Sequence, residues 1–216
     1  MEHSESLVIH SDIHLISVSG NSGTGKNFLV KALQGLSPGT ALIKSCTTRE
    51  SRGPGQDEEY EFLTDREFNT LLFNGHFLWS VQGQRRPQNA GHDRYATRRV
   101  DLERAILQEV PSIMHLVHDK VPDLEKFMQE RDKRVLKLLV VCDCKETVRQ
   151  RIINRSNIPS EEVEDRVAGF YQNQLRYRQS GLYNGVIVSS NDKTIEQLQE
   201  ELAQYLTNPI PEPQKF

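Results

Sequence analysis

The sequence lacks long apolar runs and has no large excess of charge of either sign. No hydrophobic stretch approaches the roughly 20 residues that a membrane-spanning helix requires. The formal net charge is -3, and acidic and basic residues are mixed along the chain, so nothing indicates a nucleic-acid surface or a basic membrane-binding arm. The first ten residues are polar and unlike a secretory signal. We therefore expect a soluble, cytoplasmic protein without a nucleic-acid or membrane partner.

Cysteine is also scarce. The three cysteines, Cys46, Cys142 and Cys144, have neither metal-ligand nor redox spacing. Because their number is odd and no export signal precedes them, a disulfide framework is not expected. His115 and His118 lie in or just after an apolar run without a carboxylate partner, which favours a structural role over metal binding.

Strand-like and helical patterns alternate along the chain. Apolar runs predict strands at 14–19, 41–43, 77–81, 112–117, 135–142 and 185–189. Helical spacing predicts helices at 26–35, 98–109, 121–130, 145–154, 160–179 and 194–206. Thr64 and Glu67 have capping-box spacing and predict a further short helix that ends near Gly75. The alternation predicts the α/β class, with a parallel sheet covered by helices on both faces.

A glycine-rich segment lies where the first strand meets the first helix. It consists of Gly20, Asn21, Ser22, Gly23, Thr24, Gly25, Lys26 and Asn27. In this context backbone N–H groups and the helix dipole converge on phosphate oxygens, whereas the alternative is a glycine-rich turn with a solvated lysine. The motif normally ends in Ser or Thr, whose hydroxyl binds Mg²⁺; here the amide oxygen of Asn27 is the candidate ligand. The segment predicts an ATP-dependent phosphotransferase with Lys26 as a catalytic cation.

Two arginines follow the second predicted strand. Arg49 and Arg52 are three residues apart and lie upstream of Tyr60. Planar guanidinium groups suit phosphate because they engage two oxygens at once. On charge alone, however, a solvated surface loop explains the pair better.

The wider pattern around these arginines resembles the guanylate kinase family. Ser45-Cys46-Thr47-Thr48-Arg49-Glu50-Ser51-Arg52, followed by Tyr60-Glu61-Phe62, is similar to its Ser-x-Thr-Thr-Arg-x-x-Arg and Tyr-x-Phe. The resemblance continues through Gly75-His76-Phe77-Leu78, Tyr95-Ala96-Thr97, a lid-like segment at 148–155 and Asp165-Arg166. It covers residues 14–206, which is nearly the whole chain.

The resemblance implies a P-loop kinase fold within a single domain, residues 1–208. A parallel β-sheet core flanked by helices would occupy about 12–44 and 98–206. A small inserted acceptor-binding β lobe would span about 45–97, and a helical lid about 151–166. Residues 209–216 contain Pro209, Pro211 and Pro213 and are expected to form a flexible tail.

The resemblance also implies a role for each matching residue. Lys26 and the loop amides would hold ATP with Mg²⁺, and the transferring phosphoryl group would be reached by Arg151, Arg155 and Arg166. The acceptor monophosphate would be bound by Ser45, Arg49, Arg52, Tyr60 and Tyr95, with base contacts from Gln82 and Thr97. No catalytic base is required, because the acceptor phosphate is already ionised; the site must neutralise charge, align the reactants and exclude water. The expected reaction moves the γ-phosphoryl of ATP to a nucleoside monophosphate, with GMP to GDP as the best single choice.

The guanine-selecting acids of the family are not matched in this chain. Their positions read Trp79-Ser80-Val81-Gln82-Gly83 and Met114-His115-Leu116-Val117-His118. The first segment also resembles the Trp-x-Ala-Asn-Gly of ribose 1,5-bisphosphate phosphokinases, so a phosphosugar acceptor is one alternative. A non-catalytic guanylate kinase-like binding module is another. Breakers predict a loop at 83–91, and the extra segment 84–93 fits neither relative.

Overall fold

The computed structural model describes residues 7–51, 53, 57–85, 91–155 and 160–216. The chain divides into two compact units, one formed by residues 1–41 and 109–216 and the other by residues 42–108. The second unit extends beyond the predicted lobe of 45–97, because the helix that follows its last strand belongs with it.

The described residues form nine strands and eight α-helices. Strands β1 to β9 are, in chain order, Leu15–Ser19, Leu42–Ile43, Ser45–Thr47, Tyr60–Phe62, Phe77–Arg85, His92–Arg98, Ser112–His115, Val135–Val141 and Gly185–Val188. Helices α1 to α8 are Lys26–Leu36, Asp65–Phe73, Arg99–Ala105, Val121–Gln129, Lys145–Arg155, Ser160–Ala168, Phe170–Gln179 and Ile195–Leu206. No helix in this part of the chain is long and apolar enough to cross a membrane.

The first unit is built on a parallel sheet in which β7, β1, β8 and β9 are neighbours in that order. Every residue of β1 and of β8 is buried, which explains why both read as unbroken apolar runs rather than as alternating patterns. Helices α4 and α7 pack against β8, and α1 packs against α8. The predicted α/β class with a parallel sheet flanked by helices is therefore confirmed.

The second unit contains a smaller sheet in the order β4-β3-β6-β5. Strand β3 is parallel to β4 and antiparallel to β6, and β6 is antiparallel to β5. The predicted capping box starts α2: the Thr64 side chain accepts from Glu67 N, and the Glu67 carboxylate accepts from Thr64 N. Helix α2 contributes Phe68 to a small core, where it packs with Cys46, Phe77 and Ala96.

The predicted loop at 83–91 is wrong at its start, because β5 continues through Gly83 to Arg85. Gly83 is a close-packing position rather than a turn: a Cβ there would lie 2.4 Å from Cε2 of Tyr95 on the neighbouring strand. Strand β6 already begins at His92, so both ends of the segment 84–93 are strand. Its residues 86–90 lie outside the described residues.

The long predicted helix at 160–179 is two helices, α6 and α7, which are separated at Gly169. The predicted helix at 98–109 is also shorter, because α3 ends at Ala105 and the chain continues in turns. The helical spacing of the sequence continues past Gly169 and past Ala105. Periodicity alone therefore could not locate the break between α6 and α7 or the end of α3.

Hydrogen bonds attach the tail at 209–216 to the first unit, and its flexibility stays a prediction. Asn184 Nδ2 donates to the Pro211 carbonyl at 2.6 Å, and Gln214 N donates to Tyr183 O at 3.0 Å. Proline cannot donate from its backbone nitrogen, but its carbonyl still accepts hydrogen bonds. The three prolines therefore prevent regular structure without preventing attachment.

Candidate functional site

The glycine-rich segment forms a tight loop between β1 and α1. Gly20, Gly23 and Gly25 have φ angles of 150°, 79° and 97°. A Cβ on Gly20 would lie 2.4 Å from the carbonyl oxygen of Val140 in β8. Only glycine allows this backbone to pass so close to the neighbouring strand. The loop consequently lies at the carboxyl edge of the parallel sheet, where α/β proteins bind ligands.

Helix α1 begins at this loop without a side-chain cap, as α3, α4 and α7 also begin without one. Its N-cap, Gly25, makes no side-chain cap bond, and its first turn contains no acidic residue. Helices α2 and α8, by contrast, both start with capping boxes. The positive end of the α1 dipole is therefore not offset by an acidic side chain of its own, which favours an anionic ligand.

Lys26 folds back over the loop. Its Nζ donates to the carbonyl oxygens of Gly20 and Asn21, both at 2.9 Å. The loop is also fixed from outside, because Asn21 Nδ2 donates to Phe170 O at the start of α7 at 3.0 Å. Neutral carbonyls are weaker partners for an ammonium group than phosphate oxygens are. The structure thus holds a lysine cation where an incoming phosphate could exchange with these carbonyls.

Arg151 connects α5 to this loop. Its Nη1 donates to Ser189 Oγ at 2.8 Å and to Gly23 O at 3.3 Å. Its Nη2 donates to Ser190 O and to Asn191 Oδ1, both at 3.1 Å. The structure therefore brings Arg151 to the phosphate loop and to the segment after β9, while its contact with a transferring phosphoryl group stays a prediction.

The other two arginines of the predicted lid lie on α5 and α6. Arg166 lies half-buried on α6, and Arg155 ends α5 with its side chain outside the described set. An ion pair between Arg149 Nη1 and Glu164 Oε1, at 2.7 Å, links α5 to α6. Within the predicted lid at 151–166, the described residues 151–155 and 160–166 belong to these two helices, and a role as a lid stays a prediction.

A hollow that the sequence did not predict opens beside Gly25. It lies between α1, the ends of β8 and β9 and the start of α8, and its lining includes Phe28, Leu29, Ile187, Ser189 and Lys193. It has room for about one water molecule, so it is a shallow hollow rather than a preformed ligand pocket. The available signal was Phe28, a large apolar residue that is 37% exposed on α1 next to the loop.

The sheet of the second unit places most of the predicted acceptor residues on one face. Ser45 pairs with Tyr60, and Thr47 pairs with Tyr95. Directly paired residues, and residues two apart on a strand, share a face of the sheet. Ser45, Tyr60, Tyr95 and Thr97 therefore lie on a common face, which we call the acceptor face. The rings of Tyr60 and Tyr95 are 5.8 Å apart, in agreement with this register.

Gln82 lies on the other face of this sheet, and its predicted base contact stays a prediction. It pairs with Arg94, whose guanidinium lies 4.4 Å from the ring of Phe68 on the α2 side of the sheet. The strand alternation instead puts Trp79 and Val81 on the acceptor face, where they pair with Thr97 and Tyr95. The sequence motif drew attention to Gln82, whereas a strict period of two along β5 would have selected its neighbours.

Arg49 follows β3 and is held by a residue that the sequence analysis missed. Its Nη2 lies 2.7 Å from Asp57 Oδ1, and its guanidinium carbon lies 5.1 Å from the Tyr60 ring and 5.7 Å from the Phe62 ring. Burial alone would lower the pKa of Arg49, but the hydrogen bond and the charge of Asp57 raise it above its usual value. The sequence feature that could have pointed to Asp57 is its place as an acidic residue between the arginine pair and Tyr60. Arg52 falls outside the described residues.

The remaining titratable groups belong to the scaffold. Burial, followed by the charge of Glu61, raises the pKa of the Cys46 thiol to about 11. Nδ1 of His118 is 2.9 Å from the hydroxyl of Tyr183, and burial lowers the pKa of this histidine, in keeping with a structural role. Within the described ranges, no three His, Cys, Asp or Glu residues are arranged to hold a metal ion.

Comparisons with known proteins agree with the motif pattern. No family model matches the chain. A guanylate kinase of Helicobacter pylori is 30% identical over 159 residues, which cover 68% of this chain and 73% of the relative. A guanylate kinase of Symbiobacterium thermophilum is 32% identical over 158 residues, 71% of this chain and 68% of the relative.

The fold comparison points the same way. The crystal structure of guanylate kinase from Anaplasma phagocytophilum matches with a TM-score of 0.60 and 19% identity, over 91% of this chain and 86% of that one. This likeness supports the shared fold, and the sequence matches extend over two thirds or more of each chain. The resemblance first carried by residues 45–52 is thereby confirmed, and the chain belongs to the guanylate kinase family.

Proposed function

We propose that this protein is a nucleoside monophosphate kinase that transfers the γ-phosphoryl group of ATP to GMP, giving ADP and GDP. The observation that carries the proposal is the phosphate loop, where the Lys26 ammonium lies at the start of the uncapped helix α1. Such a loop binds nucleotide phosphates through its amides, its lysine and the helix dipole. Membership in the guanylate kinase family makes GMP the acceptor to test first.

The first unit would bind ATP. Lys26 and the loop amides would hold the phosphate chain of ATP. Arg151 would orient the loop through its bonds to Gly23 and Ser189. In each case the protein neutralises charge and fixes position, which is the main requirement of phosphoryl transfer.

The donor groups near the loop also suit Mg²⁺. Magnesium at nucleotide sites takes most of its ligands from phosphate and water, so one protein oxygen is sufficient. Thr24 Oγ1 donates to Asn21 O at 2.9 Å and is buried, which leaves the amide of Asn27 as the better candidate. When bound with ATP, the ion would neutralise charge on the phosphate oxygens.

The second unit would bind GMP. Arg49 and Arg52 would bind its phosphate, with hydroxyl donors from Ser45, Tyr60 and Tyr95. Phosphate monoesters lose their second proton at a pH of about 6, so the attacking oxygen is ionised near neutral pH without a general base. Transfer then requires charge neutralisation and in-line alignment rather than proton abstraction.

Neither alternative reading gains support. The relatives described above are guanylate kinases, so a phosphosugar kinase and a non-catalytic binding module stay without a specific observation in their favour. A cytoplasmic location and the lack of nucleic-acid or membrane partners also stay predictions.

An ADP-release assay with ATP and Mg²⁺ tests the proposal against a panel of acceptors. We expect GMP to saturate the reaction and to exceed AMP, CMP, UMP and ribose 1,5-bisphosphate in kcat/KM. Arg49→Ala should raise the KM for GMP, whereas Arg104→Ala, which removes an exposed arginine on α3, should leave it unchanged. Saturation by the phosphosugar but not by GMP would favour the alternative kinase, and no ADP release with any acceptor would contradict a catalytic role.

A further inference from the structure

Asp57 forms an unusually buried ion pair with Arg49. The side chain of Asp57 is 2% exposed and that of Arg49 is 11% exposed. Two other ion pairs of the same unit are much more open: Asp65, which pairs with Arg94, is 56% exposed, and Glu61 is 39% exposed. The Arg49–Asp57 pair is therefore largely withdrawn from water, and its geometry is correspondingly fixed.

Stability does not account well for such a pair. Removing two charges from water costs about as much as their attraction returns, and apolar replacements of buried ion pairs are often neutral or stabilising. A buried pair on a loop beside a ligand face is better explained by the position that it imposes on one partner. Here that partner is Arg49, the first of the two arginines that would bind the acceptor phosphate.

The contacts of Arg49 define which part of its guanidinium remains for a ligand. Nη2 donates to Asp57 at 2.7 Å, and Nη1 donates to the carbonyl of Glu50 at 2.8 Å. The rings of Tyr60 and Phe62 also lie within cation–π distance of the group. A guanidinium has five N–H donors in a fixed fork, so fixing two of its nitrogens sets the direction of the remaining donors.

We propose that Asp57 is a positioning residue for the acceptor phosphate, acting through Arg49 rather than by touching the substrate. This inference rests on the proposed function of the acceptor face. Two effects of Asp57 oppose each other: its charge repels a phosphate dianion, and its hydrogen bond pre-orients the arginine. If Asp57 positions the arginine, orientation must outweigh repulsion. Removing the charge of Asp57 should therefore weaken the binding of GMP.

The test is Asp57→Asn, which keeps the side-chain shape and removes the charge. We expect KM for GMP to rise about tenfold, while kcat and KM for ATP change by less than about threefold, because ground-state acceptor binding is affected most. Asp65→Asn is the matched control: it breaks an ion pair of the same length, 2.7 Å, in the same unit but at α2, and should change neither KM. In an Arg49→Ala background, Asp57→Asn should add little.

An unchanged or lower KM for GMP in folded Asp57→Asn protein would overturn the inference. If this variant does not fold, Asp57→Glu decides, because it retains the charge and displaces the carboxylate by one methylene; its KM for GMP must then rise as well. GMP binding by calorimetry separates this inference from the proposed function. Wild-type protein that binds GMP without turnover contradicts the function but still tests Asp57 through Kd, whereas wild-type protein that does not bind GMP contradicts both.

Discussion

Replacing Lys26 by methionine removes the ammonium group and keeps most of the apolar stem. In the structure the ammonium donates to Gly20 O and Asn21 O, both at 2.9 Å. Both acceptors belong to the loop that would surround the phosphates of ATP. The substitution therefore removes a cation from the centre of the proposed site and leaves the glycines that shape the loop in place.

The two consequences of Lys26→Met differ in size. Removing one preorganised donor to developing charge costs about 2.7–4 kcal/mol of transition-state stabilisation, which is about 10²–10³ in kcat. The effect on folding is smaller, because the lost partners are neutral carbonyls in a loop that water reaches. A loss of about 1 kcal/mol corresponds to a Tm decrease of about 2–4 °C in a chain of this size.

The assay compares kcat with ATP and GMP for the wild type, Lys26→Met and Lys31→Met. Lys31 is exposed on the same helix, so its replacement removes the same charge and should leave kcat unchanged. Thermal unfolding shows whether both variants are folded. A folded Lys26→Met protein whose kcat stays within about threefold of the wild type would refute the assignment of this lysine to the transition state.

Three further predictions concern the loop and a thiol. Gly20→Ala should lower the free energy of unfolding by about 3 kcal/mol or more, because its Cβ would lie 2.4 Å from a carbonyl oxygen of the neighbouring strand. Gly35→Ala in α1 should cost less in the same thermal measurement, because its Cβ would meet only the end of the Gln199 side chain, which can move away with the loss of its hydrogen bond to Ala32 O. Hydrogen bonds from Thr147 lower the pKa of the exposed Cys144 thiol. Its alkylation by iodoacetamide should therefore accelerate at a lower pH than that of an ordinary thiol, and Thr147→Val should raise the pH at the midpoint of this rate profile. Chelation of Mg²⁺ should abolish turnover, and Asn27→Ser should lower the Mg²⁺ concentration for half-maximal activity, because it restores the usual hydroxyl ligand; an unchanged requirement would contradict a role for this position.

Local signals in the sequence were sufficient to predict the glycine-rich loop between β1 and α1. The strand, the glycines and Lys26 are consecutive in the chain, so their order alone fixes a strand-loop-helix unit. The capping box at Thr64 is equally local, because both of its hydrogen bonds join residues three apart. The buried strands β1 and β8 were recognisable because both faces of a parallel sheet are covered.

The arrangement of the predicted acceptor residues could not be predicted as fully, because it depends on the register of the strands. Gly83 reads as a breaker in the sequence, yet it is a strand residue that faces the ring of Tyr95. That error concealed the continuation of β5 and left the face of Gln82 undetermined. Asp57 was overlooked because its partner, Arg49, is eight residues away along an irregular segment, where no periodicity relates the two.

The central claim is that the protein carries a phosphoryl group from ATP to GMP. The most direct measurement incubates the wild-type protein with GMP, Mg²⁺ and ATP labelled at the γ-phosphate, and then separates the products. We predict that the label appears in GDP, with Lys26→Met reducing its rate of appearance about 10²–10³-fold. Label that remains in ATP, or that is released only as inorganic phosphate, would contradict the account.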